Sequence, residues 1–219
     1  MKRILCYGDS NTWGYVPGTN GDRYPADIRW TTRLQALLGD SYNIIDAGLN
    51  GRTTNLDSPG EHFKNGLAFV DAELSMHRPL DMVIIMLGTN DLKSMFHRNE
   101  HNIADGLKMI INEIQSYHQR KIGKRVDILL VSPAPLLDCV TEGSFNNEFN
   151  DTSVSVSHGL ADVLCHLAEE MGIDYLDAKE YAEVSSVDGI HLTSKGHMSL
   201  AQALYDRLSA DKAPDTILD

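Results

Sequence analysis

Three residues of this chain have the types that nucleophilic catalysis requires. Ser10 stands in the turn Gly8-Asp9-Ser10 that follows a basic and apolar run, and Asp188 and His191 stand three residues apart. A serine hydroxyl is a poor nucleophile unless a base takes its proton, and a third group must hold that base in the correct tautomer. A tight turn through Gly189 lets the carboxylate reach the imidazole, so these residues predict a serine nucleophile served by an Asp-His pair.

The same residues also have plain structural interpretations. A serine after a strand is more often a helix N-cap or a turn residue than a nucleophile. Asp188 and His191 can equally form a surface turn before a helix. Residues elsewhere in the chain must therefore decide between chemistry and simple turn formation.

Predicted strands and helices alternate along the chain. The strands are at residues 2–7, 42–48, 82–87, 126–131 and 174–177. The helices are at residues 29–38, 66–77, 102–120, 158–171 and 194–208. This alternation predicts an α/β fold, a three-layer α/β/α sandwich with a mainly parallel five-stranded sheet.

Ligand chemistry in such sheets collects beyond the carboxyl ends of the strands. Ser10, Gly51, Asn90 and residues 188–191 all fall on loops that can lie at that edge. The sequence therefore predicts that these residues meet.

The chain of 219 residues, with 42% hydrophobic content, suits one globular domain. We expect this domain to span residues 1–210, followed by a polar tail at 211–219. The longest irregular stretch is predicted at residues 136–157, and loops of this length often serve as lids or binding loops.

Four blocks resemble the SGNH or GDSL family of esterases. The first is Gly8-Asp9-Ser10, with Asn11 where many members carry leucine. The others are Asn50-Gly51-Arg52-Thr53, Gly88-Thr89-Asn90-Asp91 and Asp188-Gly189-Ile190-His191-Leu192. They span positions 8 to 192 in the order of the family, whereas the GxSxG elbow of the α/β-hydrolases is absent around Ser10.

This resemblance implies a flavodoxin-like sandwich in which Ser10 attacks an ester carbonyl. His191 would act as general base and then acid, and Asp188 would orient it. The oxyanion hole would consist of the backbone N–H groups of Ser10 and Gly51 and the side-chain amide of Asn90. No cofactor is implied.

Within the family, the chain resembles a bacterial aryl-esterase and acyltransferase subgroup. The resemblance rests on Trp13, Gly14, Arg29-Trp30 and Arg52-Thr53-Thr54. It implies a homo-oligomer that acts on small short-chain acyl or aryl esters, with water or an alcohol as acceptor. Trp13 is a candidate for substrate binding, although an aromatic core residue is nearly as good an interpretation.

The charge balance argues against several other partners. A formal charge of −12 repels phosphate backbones and anionic headgroups, so we expect no nucleic acid and no membrane as partner. The three cysteines lack CxxC spacing, and His97 and His101 have no apparent third ligand, so we expect neither a disulfide framework nor a metal site. We expect a cytoplasmic protein.

Two alternatives remain open. The same machinery can serve as a thioesterase, a lysophospholipase or a carbohydrate acetylesterase, because the loops select the leaving group. A flavodoxin-like module that binds an anion or nucleotide at the first strand-to-helix turn belongs to a different class. Residues 8–14 disfavour it, because they contain neither GxGxxG nor GxxxxGK[ST].

Overall fold

The structure is a computed structural model that describes residues 1–210. The strands are β1 (Lys2–Gly8), β2 (Tyr42–Gly48), β3 (Met82–Met86), β4 (Asp127–Ser132) and β5 (Asp174–Asp177). The helices are α1 (Ser10–Trp13), α2 (Trp30–Leu38), α3 (Gly66–His77), α4 (Glu100–Ile122), α5 (Asp151–Met171) and α6 (Ser194–Ala210). The predicted polar tail at 211–219 lies outside the described residues.

All five strands belong to one parallel sheet in the order β2-β1-β3-β4-β5. The predicted α/β sandwich is confirmed. Gly8 at the end of β1 is level with Gly48 of β2 and with Met86 of β3. The loops that follow these three strands therefore leave the sheet side by side, at the point where the strand order reverses.

Alternation along each strand divides the core into two layers. Leu5 and Tyr7 of β1 pack with α3, α4 and α5 on one face of the sheet. Ile4 and Cys6 pack with α2 and α6 on the other face. Helices on both faces of β1 explain why its sequence is apolar at consecutive positions rather than at every second one.

Helix α1 lies directly against the ends of β1 and β2. A Cβ atom on Gly48 would stand 2.2 Å from the backbone nitrogen of Trp13. Only glycine permits so close an approach of two backbones. This contact fixes the height at which Ser10, the first residue of α1, stands above the sheet edge.

The predicted irregular segment at 136–157 is shorter than expected. Helix α5 begins at Asp151, seven residues before the predicted start at His158, and Asn150 forms its N-cap with a capping box. Residues 133–150 remain as the loop between β4 and α5, interrupted by a short 3₁₀ turn at Asp138–Thr141. Within residues 1–210, no helix has both the length and the apolar character needed to cross a membrane.

Candidate active site

Ser10, His191 and Asp188 form one hydrogen-bonded chain at the carboxyl edge of the sheet. The Oγ atom of Ser10 lies 3.0 Å from Nε2 of His191. Nδ1 of His191 lies 2.8 Å from Oδ2 of Asp188. All three residues are at most 5% exposed, so this chain of polar groups is shielded from bulk water.

The carboxylate of Asp188 is held by three hydrogen bonds. Its Oδ1 atom accepts the backbone N–H groups of Ile190 and His191, each at 3.0 Å, while Oδ2 faces the imidazole. Burial acts to raise the pKa of Asp188, but the hydrogen bonds and charge of His191 outweigh it, so the pKa is lowered. An ionised Asp188 requires the proton of the imidazole to be on Nδ1, which leaves Nε2 free to accept the proton of Ser10.

Two aromatic rings enclose the imidazole. The ring of Tyr15 stacks on His191 with centroids 4.1 Å apart and an interplanar angle of 20°. Phe145 meets it edge-on at 5.6 Å. Sequence reasoning missed Tyr15, because its stacking on His191 depends on the path of the loop that follows α1.

Ser10, Gly51 and Asn90 line one cavity of about 180 Å³ together with His191. Gly51 has a φ of 80°, which favours glycine at that turn. Nδ2 of Asn90 donates to the carbonyl oxygen of Arg52 at 3.2 Å. A primary amide carries two N–H groups, so one remains for a ligand in the cavity.

Arg52 ties the loop after β2 to the end of β1. Its side chain is buried and donates to the carbonyl oxygens of Gly8, at 2.8 Å, and of Ala47. The guanidinium carbon also lies 4.1 Å from the centroid of the Tyr7 ring. Arg52 thus sets the spacing between the strand end that carries Ser10 and the loop that carries Gly51.

Two buried carboxyl groups brace the neighbouring turns. Asp9 accepts the backbone N–H of Asn11 at 2.9 Å. Asp91 accepts the backbone N–H of Thr54 at 2.9 Å and also the Thr54 hydroxyl. Burial raises the pKa of both aspartates to about 6, although these hydrogen bonds act in the opposite direction. Neither aspartate lines the cavity. Their hydrogen bonds instead go to Asn11, next to Ser10, and to Thr54, in the loop that carries Gly51.

Trp13 lies outside the residues that line the cavity. Its ring stands 6.5 Å from that of Tyr15 and 5.0 Å from the guanidinium carbon of Arg23. A role of Trp13 in substrate binding stays a prediction. Among the residues that the structure describes, no three His, Cys, Asp or Glu side chains are grouped so as to hold a metal ion.

The fold and the hydrogen-bonded serine, histidine and aspartate are those of a serine-type hydrolase. The model of the GDSL-like lipase/acylhydrolase family matches residues 6–198 of the chain. The chain belongs to this family of ester hydrolases. The resemblance inferred from the four sequence blocks is thereby confirmed.

Solved structures agree with this family. An aryl esterase from M. smegmatis in its inhibitor-bound form is 36% identical with a TM-score of 0.89, covering 96% of this chain and 99% of that one. Est24, a carbohydrate acetylesterase from Sinorhizobium meliloti, is 36% identical with a TM-score of 0.87 and the same coverage. A putative arylesterase from Agrobacterium tumefaciens str. C58 is 32% identical with a TM-score of 0.85, again over 96% and 99% of the chains. No curated protein matches the chain by sequence.

Proposed function

We propose that this ester hydrolase cleaves short-chain acyl and aryl esters through an acyl intermediate on Ser10. The observation that carries the proposal is the Ser10–His191–Asp188 chain, with Oγ–Nε2 and Nδ1–Oδ2 distances of 3.0 and 2.8 Å, at the wall of a small cavity. Both spacings are within hydrogen-bond reach, as proton transfer requires.

In the first half-reaction, Oγ of Ser10 bonds to the ester carbon while Nε2 of His191 takes the hydroxyl proton. The π electrons of the carbonyl move onto its oxygen, where the N–H groups of Ser10 and Gly51 and the amide of Asn90 bind the negative charge. The C–O bond to the alcohol then breaks, and His191 returns its proton to the departing oxygen. In the second half-reaction water attacks the acyl-Ser10 ester by the same steps and releases the acid.

The cavity supports a short acyl group. Its volume of about 180 Å³ is below the ~300–1,000 Å³ typical of drug-sized ligand pockets. Tyr15, Phe145, Phe149 and Ile190 give it an apolar wall. A long acyl chain has no room there, which disfavours a lysophospholipase that would hold the chain in this cavity.

A carbohydrate acetylesterase is the second candidate, and a specific observation favours it. Four other lining residues are polar or charged, namely Asn50, Lys64, Lys93 and Glu148. Such groups can hydrogen-bond the hydroxyls of a sugar, and Est24, one of the similar structures, is described as a carbohydrate acetylesterase. Both candidates require a small acyl group and differ in the alcohol.

We further propose acyl transfer to small alcohols, assembly as a homo-oligomer and a cytoplasmic location. The apolar cavity wall supports transfer, because an alcohol can compete there with water. Exposed apolar side chains such as Phe63 and Met76 support assembly, and the free thiols of Cys6, Cys139 and Cys165 support a reducing compartment. Ester exchange in excess alcohol, light scattering and cell fractionation test these three points in turn.

The decisive experiment compares wild type with Ser10→Ala on p-nitrophenyl esters from acetate to palmitate. We expect turnover to peak at short chains and to fall by about 10⁴-fold or more in the variant, which removes a hydroxyl but little packing. Turnover that survives in Ser10→Ala contradicts the nucleophile assignment. Parallel assays with acetylated sugars decide between the aryl and the carbohydrate substrate.

A further inference from the structure

The side chain of Lys64 lies across Gly51, next to the proposed oxyanion site. A Cβ atom on Gly51 would stand 2.9 Å from Nζ of Lys64 and 3.0 Å from its Cδ. Lys64 also lines the cavity that Ser10 and Asn90 share. A cation therefore faces the space in which the ester carbonyl must sit.

Main-chain contacts hold Lys64 at this place. The backbone N–H of Thr53, two residues after Gly51, donates to the carbonyl oxygen of Lys64 at 3.0 Å. Residues 62–64 form a short 3₁₀ turn, and Thr53 and Asn65 form a parallel bridge. The loop that carries Gly51 and the turn that carries Lys64 thus behave as one unit.

The two lysines of the cavity differ in where their counter-charges lie. Nζ of Lys93 is 2.5 Å from Glu148, and both side chains line the cavity, so their charges cancel there. Nζ of Lys64 is 2.7 Å from Glu61, which is 46% exposed and, within residues 1–210, is not one of the lining residues. Lys64 is the member of this ion pair that lines the cavity, so its ammonium group is the charge nearest to a bound ester.

We propose that the ammonium group of Lys64 stabilises the oxyanion that forms beside Gly51. The inference rests on the proposed function, because it needs a carbonyl oxygen that gains charge when Ser10 Oγ bonds to the ester carbon. A neutral ester interacts weakly with this cation, whereas the oxyanion interacts strongly across a partly desolvated cavity. An effect confined to the charged state lowers the barrier without tightening ground-state binding.

The test compares three variants on p-nitrophenyl acetate. Lys64→Met keeps an unbranched apolar side chain and removes the charge, so we expect kcat to fall about tenfold while KM stays within about twofold. Glu61→Gln keeps the cation and removes its counter-charge, so kcat is expected at or above the wild-type value. Lys108→Met is the matched control, since Lys108 pairs with Glu170 at 2.6 Å on the outer surface.

Opposite responses of Lys64→Met and Glu61→Gln support the inference. Equal losses of kcat in both variants overturn it, because they show that the Lys64–Glu61 ion pair acts by stabilising the loop. Wild-type kcat in Lys64→Met also overturns it. Lys64→Arg retains the charge and should keep kcat within about threefold, which separates a lost charge from a damaged fold.

A phenylboronic acid supplies a readout that does not depend on turnover. It forms an anionic tetrahedral adduct with a nucleophilic serine, so its inhibition constant should rise about tenfold in Lys64→Met. An unchanged constant contradicts a role at the oxyanion. Ser10→Ala is assayed alongside. If Ser10→Ala loses turnover while Lys64→Met keeps the wild-type kcat, only the inference about Lys64 is overturned. If Ser10→Ala retains turnover, the proposed function is overturned.

Discussion

The side chain of Asn11 holds the backbone on both sides of His191. Its Oδ1 atom accepts the N–H of Leu192 at 3.0 Å, and its Nδ2 atom donates to the carbonyl oxygen of Ile190 at 3.3 Å. Asn11 directly follows Ser10 in α1. The residue next to the proposed nucleophile therefore positions the proposed base.

Asn11→Leu tests this clamp. Leucine is the residue that many family members carry here, but in this chain it would remove both hydrogen bonds and leave the N–H of Leu192 without its buried partner. A small displacement of a reacting group is costly, so we expect kcat on p-nitrophenyl acetate to fall about 10- to 100-fold, with less change in KM. A kcat within twofold of wild type, in a protein with a normal melting curve, would contradict the clamp.

Asn90→Ala tests the oxyanion site. Loss of one preorganised donor should lower kcat by about 10²–10³ while substrate affinity changes little, since the contact strengthens as charge develops. Steady-state kinetics on one short ester separate the two parameters. A change limited to KM would make Asn90 a residue that positions the substrate.

Phe145→Ala tests the apolar wall. The ring lines the cavity and touches the edge of His191, so its removal opens room for a longer acyl group. We expect the ratio of kcat/KM for hexanoate over acetate to rise about tenfold, within the range that a few methylene groups allow. Phe69→Ala is a suitable control, because Phe69 is 40% exposed on α3 and does not line the cavity. An unchanged ratio would place the acyl group elsewhere.

The burial of His197 predicts that part of the free energy of unfolding is lost at acidic pH. It is fully buried on α6, where Nδ1 accepts the N–H of Trp30 at 3.4 Å. Burial, with smaller effects of the His191 and Arg29 charges, lowers the pKa of His197 to about 4. The pKa of His197 in the folded protein lies below its ordinary value. The contribution of the neutral imidazole to the free energy of unfolding is therefore complete above pH ~6.5 and is lost as the pH falls towards 4.

His197→Asn retains an acceptor near the position of Nδ1 and removes the titration. The stability advantage of wild type over this variant should shrink by about 2–3 kcal/mol between pH 7 and pH 4.5, as measured by urea unfolding. The comparison between variants is needed because Asp9 and Asp91, whose pKa values are raised, respond to pH with the opposite sign. A constant difference across this range would show that His197 does not titrate as a buried group.

The sequence was sufficient for much of the fold because local signals agreed with the packing. The helix at 66–77 and the strand at 42–48 have the predicted bounds. The start of α5 was hidden because Ser153 and Ser157 read as loop residues. Both are buried, and their hydroxyls bond locally, Ser157 to the carbonyl of Val154 and Ser153 to the capping Asn150.

Some residues of the candidate site could likewise be predicted from the sequence, and others could not. Residue type and motif were sufficient to select Ser10, His191 and Asp188 from the sequence. The structure brings these three residues together as the motifs imply. Tyr15 and Lys64 act through stacking and proximity, which depend on loop paths that one sequence does not reveal. Asn11 was visible only as a departure from leucine, and its purpose emerges from contacts with residues far along the chain.

The separation of Ser10 from His191 along the chain also has a consequence for biosynthesis. Strand β1 is an inner strand of the sheet, between β2 and β3, and both partners precede residues 188–191 by about 100 residues or more along the chain. The nascent chain can therefore assemble its central strands with Ser10 already in place but without a base to activate it. On the proposed assignment, Ser10 becomes reactive only after residues 188–191 have docked beside it.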